Sequence, residues 1–596
     1  VSMHVVVTAG HVDHGKSTLV RALTGMEPDR LEEERRRGLT IELGFAWTTL
    51  PGGEPLAFVD VPGHERFVAT MLAGVGPVPA ALFVVAADQG WQRQSQEHLA
   101  VLDALGVRHG LLAVTRRDLT GAATAARVRD DALERIAATS LGEVAAVEVS
   151  GATGQGLDDL RAALADLTAA LPEPDRTADV RLWIDRVFTV QGRGTVVTGT
   201  LGAGTIRVGD RLTAGRETVR VRGLQSLKEQ RDEIGAVARV AVNLHGGGAL
   251  RRADAGALRR GDALLTPGRW LATELIDVRL HGDPARDLPR RLVLHAGSAA
   301  VPVHVRPLGE DTARLALERP LPLRAGDTAL LRDPGRHRVA AGVAVLDVRP
   351  EPFTRRGAAA ARARELAAMG PRPDGAAELR RRGLVRRADL IAMGVPPPSE
   401  PVAGDWLADP GHWDGLRRRL RDAVDEHART HPTDPGLPAE AARRALGLPD
   451  RALVEALATG LHRRDGRLYG TATAPELPPH VRRAVDAVRR DLAGAPFNAP
   501  DAGRLADLGL TPKLIAAAAA AGALLKVADG IVLLPGADAE AAALLAKLDP
   551  PFTLSEARRA LGTTRRVAVP LLEHLDERGY TVRVDDLRRR CTERTA

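Results

Sequence analysis

The run Gly10-His11-Val12-Asp13-His14-Gly15-Lys16-Ser17-Thr18 fits the pattern G-x-x-x-x-G-K-S/T, which constrains both the local fold and its chemistry. Gly10 and Gly15 let the backbone N–H groups of the loop turn inward and cradle a β-phosphate. Lys16 reaches the β- and γ-phosphates, and the Ser17 hydroxyl is placed to ligate Mg²⁺. The apolar run 3–8 reads as a buried strand, and 17–23 as the helix whose N-terminus faces the phosphates. The chain has five Lys against seventy-eight Arg, so a Lys here marks a site that needs a compact charge rather than a planar fork.

An ordered set of further segments follows. Arg37-Gly38-Leu39-Thr40 offers the Thr40 hydroxyl to complete a Mg²⁺ shell and sense a γ-phosphate. Asp60-Val61-Pro62-Gly63-His64-Glu65 ends a strand (56–61), so Asp60 sits where a carboxylate acts on Mg²⁺ through its bound water. Gly63 offers a backbone N–H to the γ-phosphate, with His64 beside it. Thr115-Arg116-Arg117-Asp118 closes the next strand, and the Asp118 carboxylate matches N1–H and N2–H₂ of guanine, a pattern adenine lacks. Ser150-Gly151-Ala152 then offers a backbone N–H for guanine O6. These segments fall at strand ends of an alternating β/α pattern, where open parallel sheets bind nucleotides.

The wording Gly-His-Val-Asp-His-Gly-Lys and Asp-Val-Pro-Gly-His-Glu resembles the translational GTPases of the elongation factor Tu class. The resemblance implies GTP/GDP and Mg²⁺ as ligands. It also implies His64 as the residue that orients the attacking water, with Val12 and Leu39 as the apolar gate holding it back until the ribosome supplies the productive pose. One departure stands out. The guanine motif of the class is Asn-Lys-x-Asp, whereas Thr115 and Arg116 occupy its first two places. Thr115 makes fewer contacts around the base, and Arg116 is expected to lay its stem and guanidinium over the ring. The same Thr is found in the selenocysteine-specific branch of the class.

At 596 residues the chain should hold several domains of about 100–200 residues each. Its one Cys, Cys591, excludes internal disulfides and Cys metal clusters and fits a reducing cytoplasm. No stretch approaches the roughly 20 apolar residues of a membrane span, and residues 1–3 open into a strand, so neither membrane nor leader is expected. The net charge of +7 suits a polyanionic partner, although a genome-wide Arg bias remains open beside it.

Domain boundaries follow from changes of texture. The α/β P-loop GTPase domain is expected at 1–172, ending at the linker signal Pro172-Glu173-Pro174-Asp175. Short β-branched runs with intervening glycines predict two β-barrel domains, 173–267 and 268–352. The string Gly-Arg-Gly-Thr-Val-Val-Thr-Gly at 192–199 resembles the second domain of translational GTPases, which with the third holds the aminoacyl end and acceptor arm of tRNA.

Arg186 and Arg239 lie on predicted strands lining the presumed aminoacyl pocket, where elongation factor Tu carries an acidic and a neutral polar residue. Selenocysteine-specific factors carry arginines there, which the resemblance implies pair with a selenolate. A neutral seryl hydroxyl would leave partly desolvated cations unpaired. Glu42 is also expected to face this pocket.

Beyond residue 352, Leu446-Gly447, Leu508-Gly509 and Leu561-Gly562 each end a short helix. Each is followed about twenty residues later by an acidic turn, Asp465-Gly466, Asp529-Gly530 or Asp585-Asp586. The repeat predicts tandem winged-helix (α+β) domains at 353–410, 411–480, 481–536 and 537–596, with small all-α linkers as the alternative. Thr563, Thr564, Arg565 and Arg566 open the second helix of the last unit, and Pro570 should kink that helix or force it to start late. This unit resembles the last domain of bacterial selenocysteine-specific elongation factors, which grips an mRNA hairpin, the SECIS element, beside a UGA codon. The whole chain is similar to that family. The resemblance implies a monomeric factor that carries selenocysteinyl-tRNA to the ribosome, with the middle winged helices as spacers. The rival readings are another translational GTPase or a GTPase subunit of sulfate activation.

Overall fold

A computed structural model describes residues 3–27, 43–62, 70–71, 74, 78–190, 194–215, 217–245, 258–336, 338–431, 434–470 and 477–592. The chain forms two compact units, Val1–Arg381 with Val385–Glu400, and Arg382–Leu384 with Pro401–Ala596.

The first unit opens with a six-stranded sheet formed by β1 (His4–Ala9), β2 (Gly44–Thr49), β3 (Pro55–Asp60), β4 (Ala80–Ala86), β5 (His109–Thr115) and β6 (Ala145–Glu148), in the order β2-β3-β1-β4-β5-β6. Only the β2–β3 pairing is antiparallel. Helices cover both faces, which explains why β4 is an unbroken apolar run. On one side Leu19 and Leu23 of α1 (Lys16–Thr24) and Leu160 and Leu164 of a later helix (Leu157–Ala169) form the core. On the other, Leu99 and Leu102 of α2 (Arg93–Ala104) join Ala125 and Ile136 of α3 (Ala122–Ala137). The nucleotide motifs follow the C-terminal ends of β1, β3, β5 and β6.

The second domain is a closed sheet, because the strand Arg211–Ala214 pairs with both Glu217–Ser226 and Ala263–Leu265. Its strand Ala238–His245 alternates strictly: Ala238, Val240, Val242 and Leu244 enter the barrel core, which leaves Arg239 pointing outward. The third domain is a closed six-stranded barrel spanning Ala272–Asp347.

The segment 353–410 carries the helices Ala358–Ala368, Gly375–Arg382 and Arg387–Ala392. Up to Glu400, residues 382–384 aside, it belongs to the first unit, and among its described residues up to that point there is no β-hairpin. Arg362 anchors it to the third barrel, donating to Asp277 at 2.7 Å and to Asp347 at 2.6 Å. Both acids are buried, and Arg314 and Arg381 complete the cluster at 2.7 and 2.8 Å.

In the second unit, helix, helix, helix and hairpin recur three times. The first copy ends in the hairpin His462–Arg464 and Arg467–Tyr469, whose two-residue turn has Asp465 at φ 50° and Gly466 at φ 73°. The next two copies share one core in which Val488, Phe497 and Ile515 meet Leu571 and Leu575. The helix Arg565–Glu577 begins directly after Thr564 and runs through Pro570, so no late start occurs.

Candidate guanine-nucleotide site and composite pocket

Backbone geometry dictates the phosphate loop. Gly10 has φ +131°, and a Cβ there would lie 2.1 Å from the Val84 carbonyl oxygen, so only glycine fits. Gly15 sits at φ +80° just before α1. Lys16 is 4% exposed, and its Nζ donates to the carbonyls of Gly10 (3.0 Å) and His11 (2.8 Å), which hold the ammonium across the loop mouth. Val12, Asp13 and His14 form a short helical turn, and Thr18 lies in the first turn of α1.

Two of the oxygen donors expected for Mg²⁺, Ser17 and Asp60, meet. Ser17 Oγ donates to Asp60 Oδ2 at 2.8 Å, and the other carboxylate oxygen accepts from Thr8 Oγ1 at 2.5 Å. Thr8 in turn accepts from the Val61 N–H, so the end of β1 orients Asp60. A buried carboxylate beside a hydroxyl at a helix N-terminus suits a hard divalent cation that bridges to phosphate.

Two residues of α2 brace the loop from outside, and neither is a candidate on sequence alone. His98 Nδ1 accepts the Gly10 N–H at 3.0 Å, and Gln94 Oε1 accepts the Val12 N–H at 3.2 Å. Their spacing of four residues on a helix following a buried strand is the signal that identifies them in retrospect. Burial, aided by the Lys16 charge, keeps the His98 imidazole neutral far below its ordinary titration range. Burial likewise pushes His14 down to about 4, against the opposing hydrogen bond of its Nδ1 with the Val84 carbonyl. His11 is lowered by burial and by Lys16.

At the guanine end, Thr115 makes a contact not expected from sequence. Its hydroxyl donates to the His14 carbonyl at 2.6 Å and ties β5 to the phosphate loop. The expectation for Arg116 is corrected in part. With φ 55°, its guanidinium turns to Asp88 (3.2 Å) and the Asp13 carbonyl, so the stem rather than the head group remains to face a base. Asp118 is exposed. Ser150 is buried and its Oγ accepts the Thr153 N–H at 3.1 Å, which shapes the turn Ser150-Gly151-Ala152. A Cβ on Gly151 would meet Thr18 at 3.4 Å, so this turn lies against the start of α1. Leu39, Thr40, Glu42, Gly63 and His64 lie outside the described residues.

Arg186 and Arg239 line one cavity of about 310 Å³ together with Phe45, Trp47, Phe188, Thr198 and Lys228. The GTPase domain supplies part of its wall. The Phe45 ring lies 3.9 Å from the Arg239 guanidinium carbon and 5.4 Å from that of Arg186, and Arg186 donates to the Leu43 carbonyl at 2.5 Å. Arg239 forms a two-pronged ion pair with Asp185, whose side chain is 4% exposed, and it also donates to Thr198 at 3.2 Å. Asp185 does not line the cavity but holds Arg239 at its wall, a role that sequence reasoning passes over although Asp185 directly precedes Arg186.

The four residues expected at an RNA surface divide. Thr564, Arg565 and Arg566 are exposed and Thr563 is partly buried, but the two outer residues of the four are also engaged within the protein. Thr563 Oγ1 donates to the Phe497 carbonyl, and Arg566 donates to the carbonyls of Ala499 and Pro500, the latter at 3.1 Å. These two fasten the last winged helix to the one before it.

Comparison with known proteins agrees along the chain. Residues 2–170 match the elongation factor Tu GTP binding domain, 276–352 the beta-barrel domain of selenocysteine-specific elongation factor, and 543–590 the winged helix of elongation factor SelB. The selenocysteine-specific elongation factor of Escherichia coli (strain K12) is 33% identical over 507 residues, covering 80% of this chain and 78% of that protein. That of Desulfomicrobium baculatum is 37% identical over 341 residues, covering 54% and 52%. The crystal structure of a bacterial selenocysteine-specific elongation factor, EF-Sec, covers both chains over their full lengths with a TM-score of 0.80 at 23% identity, which extends the shared fold to both ends. No described helix is long and apolar enough to cross a membrane. With its guanine-nucleotide site, two barrels and winged-helix tail, the chain belongs to the selenocysteine-specific elongation factors, GTP-hydrolysing members of the translational GTPase superfamily.

Proposed function

We propose that this factor, with GTP bound, carries selenocysteinyl-tRNA on its second and third domains and an mRNA hairpin on its last winged helix, and delivers the tRNA to UGA codons on the ribosome. The observation that carries the reading is the convergence of Arg186 and Arg239 on one cavity. Two guanidiniums that are largely desolvated favour an ionised selenolate over a neutral hydroxyl or a mostly protonated thiol.

Ser17, Thr40 and, through bound water, Asp60 would hold Mg²⁺, and the contact between Ser17 and Asp60 supports that assignment. Mg²⁺ would neutralise charge on the β- and γ-phosphates. Lys16 and the inward N–H groups of the loop and of Gly63 hold the phosphates, and Asp118 reads the base. Positioning carries most of phosphoryl transfer, so His64 acts by orienting water rather than by removing its proton outright.

The deciding experiment binds the GTP-loaded protein to selenocysteinyl-, seryl- and cysteinyl-tRNA. A preference for the first of at least tenfold over each of the others is expected, and equal affinities would overturn the reading.

A further inference from the structure

A cavity of about 480 Å³ opens within the first unit, between the third barrel and the segment that follows it. Its floor is apolar: Val345 of the barrel, Met393 and Val395 are buried, and Met369 forms one side. The framework around it is fixed from several directions. Arg279 of the barrel donates to the carbonyls of Leu366 (2.7 Å) and Met369 (3.1 Å), which pins the end of the helix Ala358–Ala368. The loop that follows, Gly370-Pro371-Arg372-Pro373, carries two prolines, which set their own φ and confine the arginine between them to extended backbone. Beyond it Asp374 Oδ1 accepts the N–H groups of Ala376 (2.9 Å) and Ala377 (3.1 Å), and a Cβ on Gly375 would lie 2.0 Å from the Pro396 carbonyl oxygen. Loop and helix are thus seated before any ligand arrives, which lowers the cost of binding.

The charges along the rim decide what fits. Four carboxylates line the cavity, and each is engaged: Asp347 by Arg362 and Arg381, Glu365 by Arg362, Glu378 by Arg381, and Asp374 by its backbone N–H groups. Of the three lining cations, Arg381 is spent on Asp347 and Glu378. Arg372 and Arg380 are exposed, and their guanidiniums make no ion pair or hydrogen bond among the described residues. An apolar floor beside two unspent guanidiniums matches a ligand with an apolar body and an anionic head.

We propose that this cavity is a binding site for a small amphipathic carboxylate. Its hydrocarbon body lies on Val345, Met369, Met393 and Val395, where the flexible thioethers adapt to its shape. Arg372 and Arg380 take the carboxylate, whose two oxygens suit the guanidinium fork. The bound ligand bridges the barrel and the segment after it. This activity is separate from nucleotide, tRNA and mRNA binding, and it does not rest on the proposed function.

The test titrates butyrate, hexanoate and octanoate into the full-length protein by calorimetry, with octylammonium and 1-octanol as controls for the head group. Octanoate should saturate a single site, and affinity should rise about two- to fourfold with each added methylene. Octanol should bind about tenfold more weakly than octanoate, and R372A/R380A should bring octanoate down to the level of octanol. Met369→Glu, which sets a fixed carboxylate against that of the ligand, should weaken octanoate by a similar factor. Arg372 and Arg380 are exposed and Met369 is partly so, and unchanged melting curves and GTP binding would show the variants folded. The absence of a saturable octanoate site, an affinity independent of chain length, octylammonium bound as tightly as octanoate, or wild-type affinity in either variant would each overturn the proposal.

Discussion

Arg239, which lines the cavity where a selenolate is expected, is ion-paired with the buried Asp185, so the cation that should read the ligand already has an internal counter-ion. A neutral side chain leaves that pair undisturbed, whereas a selenolate can share Arg239 with Asp185 and gain a charge-assisted contact. Arg239→Ala should reduce the preference for selenocysteinyl- over seryl-tRNA by about 1.5–3 kcal/mol, the worth of a charge-assisted contact, chiefly by weakening the former. Asp185→Asn should widen the same preference, because it removes the carboxylate that competes with a selenolate for Arg239 and leaves the guanidinium unpaired beside a neutral seryl hydroxyl. Protection of the aminoacyl ester from hydrolysis measures both, and an unchanged ratio in both variants would place selenium recognition elsewhere.

Thr115 and Asp118 share a motif but should fail differently. Thr115→Val removes the hydroxyl that holds the His14 carbonyl, so GTP and GDP should both weaken, by about 1–3 kcal/mol, with guanine selectivity intact. Asp118→Asn should instead weaken GTP and admit xanthosine triphosphate, whose 2-oxo group accepts the new amide donor. Competition titrations with the four nucleotides separate the two outcomes.

Much of this was legible from residues alone, because the signals were local. The loop Gly10–Thr18 demands particular backbone angles, and a two-residue Asp-Gly turn specifies a hairpin by itself. What escaped was non-local. Gln94 and His98 reach the phosphate loop only because α2 packs against β1, and their four-residue spacing puts them on one face without saying what that face meets. The tie from Thr115 to the phosphate loop is equally remote, because its partner, the His14 carbonyl, is 101 positions away. The anchor at Arg362 is non-local too: it looks like any helical arginine until Asp277 and Asp347 of the barrel are seen beside it.

Acid should weaken the first unit. Burial holds His14 and, in the third barrel, His295 down to about 4 from an ordinary value near 6.5. Between those limits the unfolded chain binds protons that the folded one refuses, so stability falls as pH drops from 6.5 towards 4 and levels off below. The slope is about 1.4 kcal/mol per pH unit for each histidine fully titrated. His295→Asn should make the decline shallower. Melting temperatures recorded at half-unit pH steps test this, and a variant as acid-sensitive as wild type would remove His295 from the account.

Arg565 and Arg566 are neighbours at the start of one helix, yet they should behave differently. Arg566 spends its guanidinium on the carbonyls of Ala499 and Pro500, so Arg566→Ala should lower the melting temperature of the second unit and loosen the joint between its last two winged helices. Arg565 is exposed and makes no such bond. Arg565→Ala should leave melting unchanged while weakening binding of the mRNA hairpin, with a salt slope shallower by about 0.7–0.9 for the lost phosphate contact. Calorimetry on both variants, paired with hairpin titrations at several salt concentrations, distinguishes the roles. If Arg565→Ala bound RNA like wild type at every salt concentration, the start of this helix would not be an RNA-contacting surface. GTP hydrolysis should be unaffected in either variant, since neither arginine belongs to the nucleotide-binding unit.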